Sequence, residues 1–373
     1  MVNYKGAFVL APMVRIGELP TRLLALKYGA DLVWGPEIID RKLISCKRIE
    51  NTKLGTIDFL STSGNTKIPG VTNLVFRTCP KLESQKLIFQ MGTANPELAV
   101  KAAKLIINDV DGIDINAGCP KHFSIHAGMG AALLKTPDLL FSILSSLVDQ
   151  IGKPYNKPIS VKIRLLENKQ DTLNLVSKLL QSGISNLTIH CRTQTMRNRE
   201  FPIRDYLDEI IQQCRQNNVS CIINGQIQSK NDYLALQTKY GSDVGAMIAE
   251  AAESNPSVFN DSPSNWQSVI KEFVHLSSTF DNWLGNSKYC LLKIIPGKHP
   301  LYSQIARAKT HHDLLKLVSE LEINTAITNN NKNNNNNKNN NNNSQNKRKL
   351  QSDSSKAKLE KKLKINSTKS ISV

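Results

Sequence analysis

Along most of the chain, short runs of β-branched and other apolar residues alternate with longer stretches whose apolar positions recur every three or four residues. The short runs are FVLAP (8–12), DLVWG (31–35), LIFQM (87–91), GIDIN (112–116), PISVKI (158–163), NLTIH (186–190), SCIIN (220–224) and GAMIA (245–249). Such runs, bounded by polar or turn residues, predict strands, and the amphipathic stretches between them predict helices. The segment Pro96 to Ile107 shows the helical signature. Asn95 is placed to cap it, Pro96 takes the first helical position, and Leu98, Ala102 and Leu105 recur along one face. Strand–helix alternation predicts a parallel sheet with crossover helices. Eight strands within about 250 residues fit a (β/α)8 TIM barrel. A doubly wound open sheet satisfies the same pattern, because periodicity alone does not close a sheet.

Two segments break the alternation. A polar, hairpin-like insertion over roughly 47–85 separates the second and third strands, and from 264 to 318 the pattern is helical throughout. The expected organisation is an α/β barrel over 1–262, a helical domain over 263–322 and a tail over 323–373. Residues 329–343 are nearly all Asn, interrupted by Lys332 and Lys338, and so are expected to be disordered. Beyond them, KRK (347–349) and KAKLEKKLK (356–364) read equally as an RNA-gripping or nuclear-import tail and as a solubilising extension.

Charge changes the picture more than composition does. The chain has 373 residues, 40% hydrophobic and 21% charged, enough to bury a large core, and its formal net charge is +17. Residues 329–373 carry eleven Lys or Arg against two acidic residues, so tail and body are both basic. That points to a polyanionic partner, with nucleic acid first. Seven Cys with no CxxC pair argue against a disulfide framework and a structural zinc site. No apolar run is long enough to span a membrane, and the start has no secretory pattern. A monomer without a metal, in the cytoplasm and also the nucleus, is the expectation.

The candidate chemistry sits at the predicted strand ends, where a barrel forms its active site. They carry Pro12-Met13, Glu37, Gln90, Asn116, Lys162, His190, Asn224 and Ala249-Glu250, and core packing gives no reason for so many polar groups. Alternation places Lys162 opposite Val161 and Ile163, hence inside the barrel, where an ammonium needs an anion. His190, with Arg192 two positions on, suggests beside Lys162 a site for an anionic or electron-accepting ring. Gln90 suits the edge of a heteroaromatic ring. Asn224-Gly225 and Gly245 mark the last two strands, whose loops commonly hold phosphate in such barrels. The sharpest signal is NAGCP at 116–120, followed by KHFSIHAGMGAALL. Pro120 fixes the backbone there, Gly118 is read as permitting a tight approach, and a thiol that is mostly protonated at neutral pH makes Cys119 a candidate general acid. Cys191, Cys221 and Cys290 read instead as buried core thiols.

At NAGCPKHFSIHAGMGAALL the sequence resembles the tRNA-dihydrouridine synthases, and most of all the eukaryotic branch acting on uridine 20 of the D-loop. LAPMVRIGELPTRLLALKYGADLVW (10–34), PISVKIR (158–164), TIHCRT (188–193) and AMIAEAAESNPSVF (246–259) agree, so the resemblance runs from about Phe8 to Val318. It implies FMN in the barrel mouth, NADPH as reductant and tRNA as partner. Pro12, Met13 and Val14 would line the flavin and Gln90 would bond its ring. Lys162 and His190 would contact ring and polyol, with Asn224, Gly225, Gln226, Ala249 and Glu250 at the phosphate. Glu37 and Asn116 would position the uridine, with Arg192 on the substrate side. Hydride would pass to uracil C6 and Cys119 would protonate C5. Glu250 stands where the family usually has Arg, Ala117 stands where Met is usual, and the double-stranded-RNA-binding domain of some members is not found in this sequence. A flavin barrel acting on a small molecule, a catalytically impaired RNA-binding homologue and a Schiff-base aldolase using Lys162 are the competing readings.

Overall fold

The computed structural model describes residues 2–61 and 73–321. The expectations for the Asn tract and the basic tail lie outside the described residues. Eight parallel strands form the barrel: β1 (Phe8–Leu10), β2 (Leu32–Trp34), β3 (Leu87–Gly92), β4 (Gly112–Ala117), β5 (Ile159–Arg164), β6 (Asn186–His190), β7 (Ser220–Asn224) and β8 (Gly245–Ile248). They are ordered β2-β1-β8-β7-β6-β5-β4-β3, and β2 pairs with β3 through Val33 beside Leu87 and Trp34 beside Ile88. That pairing closes the sheet and excludes the open alternative.

Alternation decides what each strand puts inside. Val9, Trp34, Ile88, Ile222 and Met247 form the apolar filling of the barrel. The opposite faces of the same strands, among them Phe8, Val33, Phe89, Ile113, Val161 and Ile189, pack against the surrounding helices. Each such side chain contributes about 1.5–3 kcal/mol when fully buried. Toward the C-terminal ends of the strands the inward positions turn polar. Gln90 lies beside Asp114, Asp114 beside Ser160, Asn116 beside Lys162, Lys162 beside Thr188, and His190 beside Asn224. The polar layer is therefore continuous from β3 to β7.

The helix Pro96–Ile106 begins as its sequence predicts, with the Asn95 side chain accepting from Leu98 N. Its buried face differs. Ala99, Val100, Ala102, Ala103 and Ile106 point inward, while Leu105 is 41% exposed. Small alanines let the helix lie close to its neighbours, and the apolar positions alone did not reveal which stripe they mark.

The insertion is a three-stranded antiparallel sheet rather than a polar hairpin. Cys46–Asn51 pairs with Thr56–Ser61, which pairs with Asn73–Thr78. Phe59 and Phe76 are buried, and Phe76 meets Phe89 of β3 edge-on at 5.3 Å. Two buried arginines fasten this sheet. Arg22, from the helix Leu19–Lys27, bonds Glu83 at 2.6 Å, with both side chains at most 1% exposed. Arg77 grips Asp58 through two bonds of 2.6 Å and also reaches the carbonyls of Phe280 and Asp281. Removing one partner of such a buried pair costs about 3–5 kcal/mol, because the other charge is left unpaired.

The C-terminal helices Trp266–Thr279, Leu284–Ile294, Pro300–Arg307 and His311–Ser319 share one apolar core, which also takes in Ile16 and Leu24 from the start of the barrel. Barrel and helices form a single compact unit over residues 1–322. The helical segment thus rests on the loop that follows β1, where Asn286 donates to the Arg15 carbonyl and the Arg15 guanidinium stacks on Tyr289 at 3.7 Å. Among the described residues, no helix is long and apolar enough to cross a membrane.

Candidate active site

Two cavities open at the C-terminal mouth of the barrel and meet at His190. The first, about 400 Å³, is walled by Pro12, Met13 and Val14 after β1, by Glu37, by Gln90, Asn116 and Cys119, and by Lys162 and His190. The second, about 300 Å³, is walled by His190, Arg192, Asn224, Gly225, Gln226, Ala249 and Glu250. All fifteen residues singled out from the sequence therefore line one cavity or the other. A larger cavity of about 640 Å³ lies at the opposite end of the barrel, around Tyr4, Gly183 and Ser220, and none of these residues line it.

The Cys119 loop is held from several sides. Asn116 Oδ1 accepts from the backbone N–H groups of Gly118 (2.9 Å) and Cys119 (3.0 Å). The Cys119 carbonyl accepts from Ala131 N at 2.9 Å. Arg164 Nε donates to the Gly118 carbonyl at 3.0 Å, and its Nη1 donates to the Thr193 carbonyl at 2.8 Å. The close approach expected at Gly118 occurs at Gly130 instead. A Cβ at Gly118 would meet nothing nearer than 3.5 Å. One at Gly130, where φ is +60°, would stand 2.4 Å from Ser124 Oγ and 2.6 Å from the Cys119 carbonyl. Ser124 Oγ is buried beside the thiol and helps to hold its pKa down.

Burial pushes the Cys119 thiol above its ordinary value of 9.0, against the pull of the Lys121 backbone, so it carries its proton at neutral pH. Burial likewise raises Glu37 to about 7, with Lys121 and Asn116 holding it down. Glu37 Oε1 is buried with no hydrogen-bond partner. It fits only because residue 92 is Gly, since a Cβ there would lie 2.6 Å from that oxygen.

Lys162 points inward, as alternation predicts. Burial lowers it to about 8, Arg164 lowers it further, and Asp114 opposes them. No carboxylate comes within 4 Å of its ammonium among the described residues, and Asp114 attracts it only from farther off, so the ammonium has no anion in contact with it. His190 is neutral. Burial is the main cause, and Lys162, Arg164 and Arg192 add to it. Arg192 Nη1 lies 3.1 Å from His190 Nε2, and an arginine can only donate, so the proton of the neutral ring sits on Nδ1.

The second cavity is cationic at its floor and acidic at its rim. Arg192 is 4% exposed and is braced by the carbonyls of Asn198 and Glu200. It faces this cavity and not the one beside Cys119. Glu250 is exposed and acts on Arg192 from across the opening. The helix after β8, Glu250–Ser254, has only five residues, so its dipole adds little. Asn224 Nδ2 donates to the Met247 carbonyl, which leaves its oxygen for other partners.

Sequence reasoning missed several wall residues. Arg164 was within reach, since it follows Lys162 by two on the same inward face. Lys121 and Phe123 follow the NAGCP loop directly. Asn198 and Tyr289 carried no signal, because they arrive from the loop after β6 and from the helical segment.

With this geometry in place, comparison with known proteins is informative. The family model described as Dihydrouridine synthase (Dus) matches residues 9–354. The chain is 55% identical over 330 residues to a tRNA-dihydrouridine(20) synthase [NAD(P)+] of Saccharomyces cerevisiae, covering 86% of this chain and 85% of that one. It is 52% identical over 322 residues to the protein of the same name from Schizosaccharomyces pombe, spanning 85% of this chain and 65% of that longer relative. A tRNA-dihydrouridine(20a/20b) synthase [NAD(P)+] of Saccharomyces cerevisiae is 29% identical over 311 residues, covering 82% of this chain and 77% of that one.

Proposed function

The chain belongs to the dihydrouridine synthase family, and from that premise we propose that it reduces uridine 20 of the tRNA D-loop to 5,6-dihydrouridine, with FMN in the barrel mouth and NADPH as reductant. One observation carries the reading. Two cavities joined at His190 offer a protonated thiol and an ammonium with no carboxylate in contact in the first and a buried guanidinium in the second. A flavin mononucleotide has a matching distribution of parts, an electron-accepting ring at one end and a phosphate at the other.

The residues fit the cofactor by what they lack. Lys162 has no carboxylate in contact among the described residues, Glu37 Oε1 has no donor, and the buried Arg192 guanidinium lines the second cavity. Pro12, Met13 and Val14 would flank the ring, Lys162 and His190 Nδ1 would meet its polar edge, and Arg192 and Asn224 would hold the phosphate. When bound, the flavin would supply the hydride for C6 of the uracil, with NADPH as its reductant. Everything else is done by side chains. Hydride addition puts negative charge on the pyrimidine, and the Cys119 thiol neutralises it by giving its proton to C5, which saturates the C5–C6 bond. The resulting thiolate regains a proton from solvent beside Lys121. Glu37 Oε1 accepts the base's N–H, and Asn116, fixed between loop and barrel, sets the register of the ring. Because the site lies inside a mouth, the uridine must leave its stack to enter, which favours a loop nucleotide over a paired one.

The test is reduction in vitro. The purified chain with FMN and NADPH is given a uridine-containing tRNA transcript, and in parallel free uridine and other free pyrimidines. Mass spectrometry of D-loop fragments should show the gain of two hydrogens at position 20, and free pyrimidines should remain unchanged. Turnover of a free pyrimidine with untouched tRNA would instead identify a small-molecule reductase.

A further inference from the structure

Asp114 lies inside the barrel on β4, wholly buried, and the chemistry above makes no direct use of it. It is nevertheless the root of a continuous chain of hydrogen bonds. Ser160 Oγ donates to Asp114 Oδ1 at 2.7 Å, and Gln90 Nε2 donates to Asp114 Oδ2 at 2.8 Å. Gln90 Oε1 in turn accepts from Asn116 Nδ2 at 3.2 Å. Asn116 Oδ1 then receives the two N–H groups that shape the Cys119 loop.

The order of donors and acceptors along this chain is not free. The two ends of a carboxamide have nearly the same size and shape, so only their partners decide which way it faces. A carboxylate can only accept. The NH₂ of Gln90 must therefore face Asp114, which turns Gln90 Oε1 toward Asn116. That oxygen takes the NH₂ of Asn116 and leaves Asn116 Oδ1 for the loop. Reversing Gln90 would set NH₂ against NH₂. Asn116 could relieve the clash only by turning its own NH₂ onto the N–H groups of Gly118 and Cys119, donor against donor.

We propose that Asp114 is a positioning residue for Cys119: as an acceptor-only anchor it fixes the direction of the Gln90 and Asn116 amides, and through them the loop that carries the thiol. The surroundings support this. The Trp34 indole N–H is aimed at the carboxylate, and Lys162 attracts it from the neighbouring strand. Burial raises Asp114 only to about 6, so at neutral pH it remains the anion the anchor requires. A buried carboxylate is costly where an apolar side chain would pack, so its presence calls for a return of this kind. The catalytic meaning of the inference rests on the function proposed above, whereas the ordering of the loop does not.

The test uses the full chain with bound FMN and three variants. Asp114→Ala should lower the single-turnover rate of tRNA uridine reduction at least about tenfold, since a small misplacement of a reacting group is costly. It should leave flavin content and the KM for tRNA within about twofold, and speed alkylation of Cys119 by iodoacetamide, read by peptide mass spectrometry, at least about threefold. Asp114→Asn can still turn its oxygen to Gln90 while giving its NH₂ to Ser160 Oγ, so it should restore both readouts to within about threefold of the unmodified protein. An alanine variant with unaltered rate and alkylation overturns the proposal, as does an asparagine variant as slow as the alanine one. Should Asp114→Ala not fold, the double variant Asp114→Asn/Ser160→Ala removes both the charge and the group that orients the asparagine. It should be slow where Ser160→Ala alone is not, and equal rates would overturn the proposal. Alkylation needs neither tRNA nor reductant, so a chain that failed to reduce uridine would still report whether Asp114 orders the loop.

Discussion

Replacing Lys162 with Met should make the ligand-free protein more stable while making it a poorer flavin binder. The side chain is inside the barrel mouth with no carboxylate in contact, and its pKa falls from 10.5 to about 8, with burial the largest cause and the more distant Asp114 only partly opposing it. Each pH unit of proton affinity is worth about 1.4 kcal/mol, so holding this ammonium charged in the folded state costs up to about 3 kcal/mol. The sign follows from linkage. The folded protein binds the proton less tightly than the unfolded chain, so stability is whole above about pH 10.5. It declines as pH falls toward 8, and the full cost stands at pH 7. Methionine has similar length and no charge. Urea unfolding of ligand-free protein, followed by tryptophan fluorescence, should show Lys162→Met stabilised by up to about 3 kcal/mol at pH 7, with the gain vanishing above about pH 10.5. Flavin titration at pH 7 should show affinity weakened at least about tenfold, because an anion-seeking charge has been removed. A variant destabilised at pH 7, or altered equally at both pH values, would mean that the ammonium is already paired in the folded protein.

Two further outcomes are expected. Cys119→Ala should retain bound flavin and tRNA affinity but lose about 10²–10⁴-fold in the rate of uridine reduction, the usual worth of a positioned acid; a stopped-flow rate within threefold of the unmodified enzyme would assign the proton to another group. Glu250→Arg removes a carboxylate that faces Arg192 across the second cavity, so FMN affinity by equilibrium titration should tighten several-fold, and an unchanged Kd would show that the exposed side chain stays clear of the phosphate.

The barrel strands were legible because their residues are β-branched and alternate about turns, and NLTIH and SCIIN coincide with β6 and β7 at both ends. Closure was not legible, since it depends on β2 meeting β3 across an intervening stretch of some 50 residues, much of which pattern alone treats as an interruption. The insertion looked polar because Glu83, Arg77 and Asp58 are charged, yet they are buried in ion pairs, Glu83 with Arg22 of the first helix and Arg77 with Asp58. Lys162 could be placed inside from its neighbours, and the rule extends two residues to Arg164. Asp114 escaped notice because GIDIN reads as one apolar run, although its middle residue shares the inward face with Asn116. Tyr289 and Asn198 reach the cavity through tertiary packing, which leaves no trace in local sequence.

A diffraction experiment on the chain crystallised with FMN addresses the central claim most directly. Difference density should place the isoalloxazine in the chamber between Met13 and Cys119, with the phosphate past His190 against Arg192. Density for the flavin at any other surface, or with ring and phosphate exchanged between the two chambers, would contradict it.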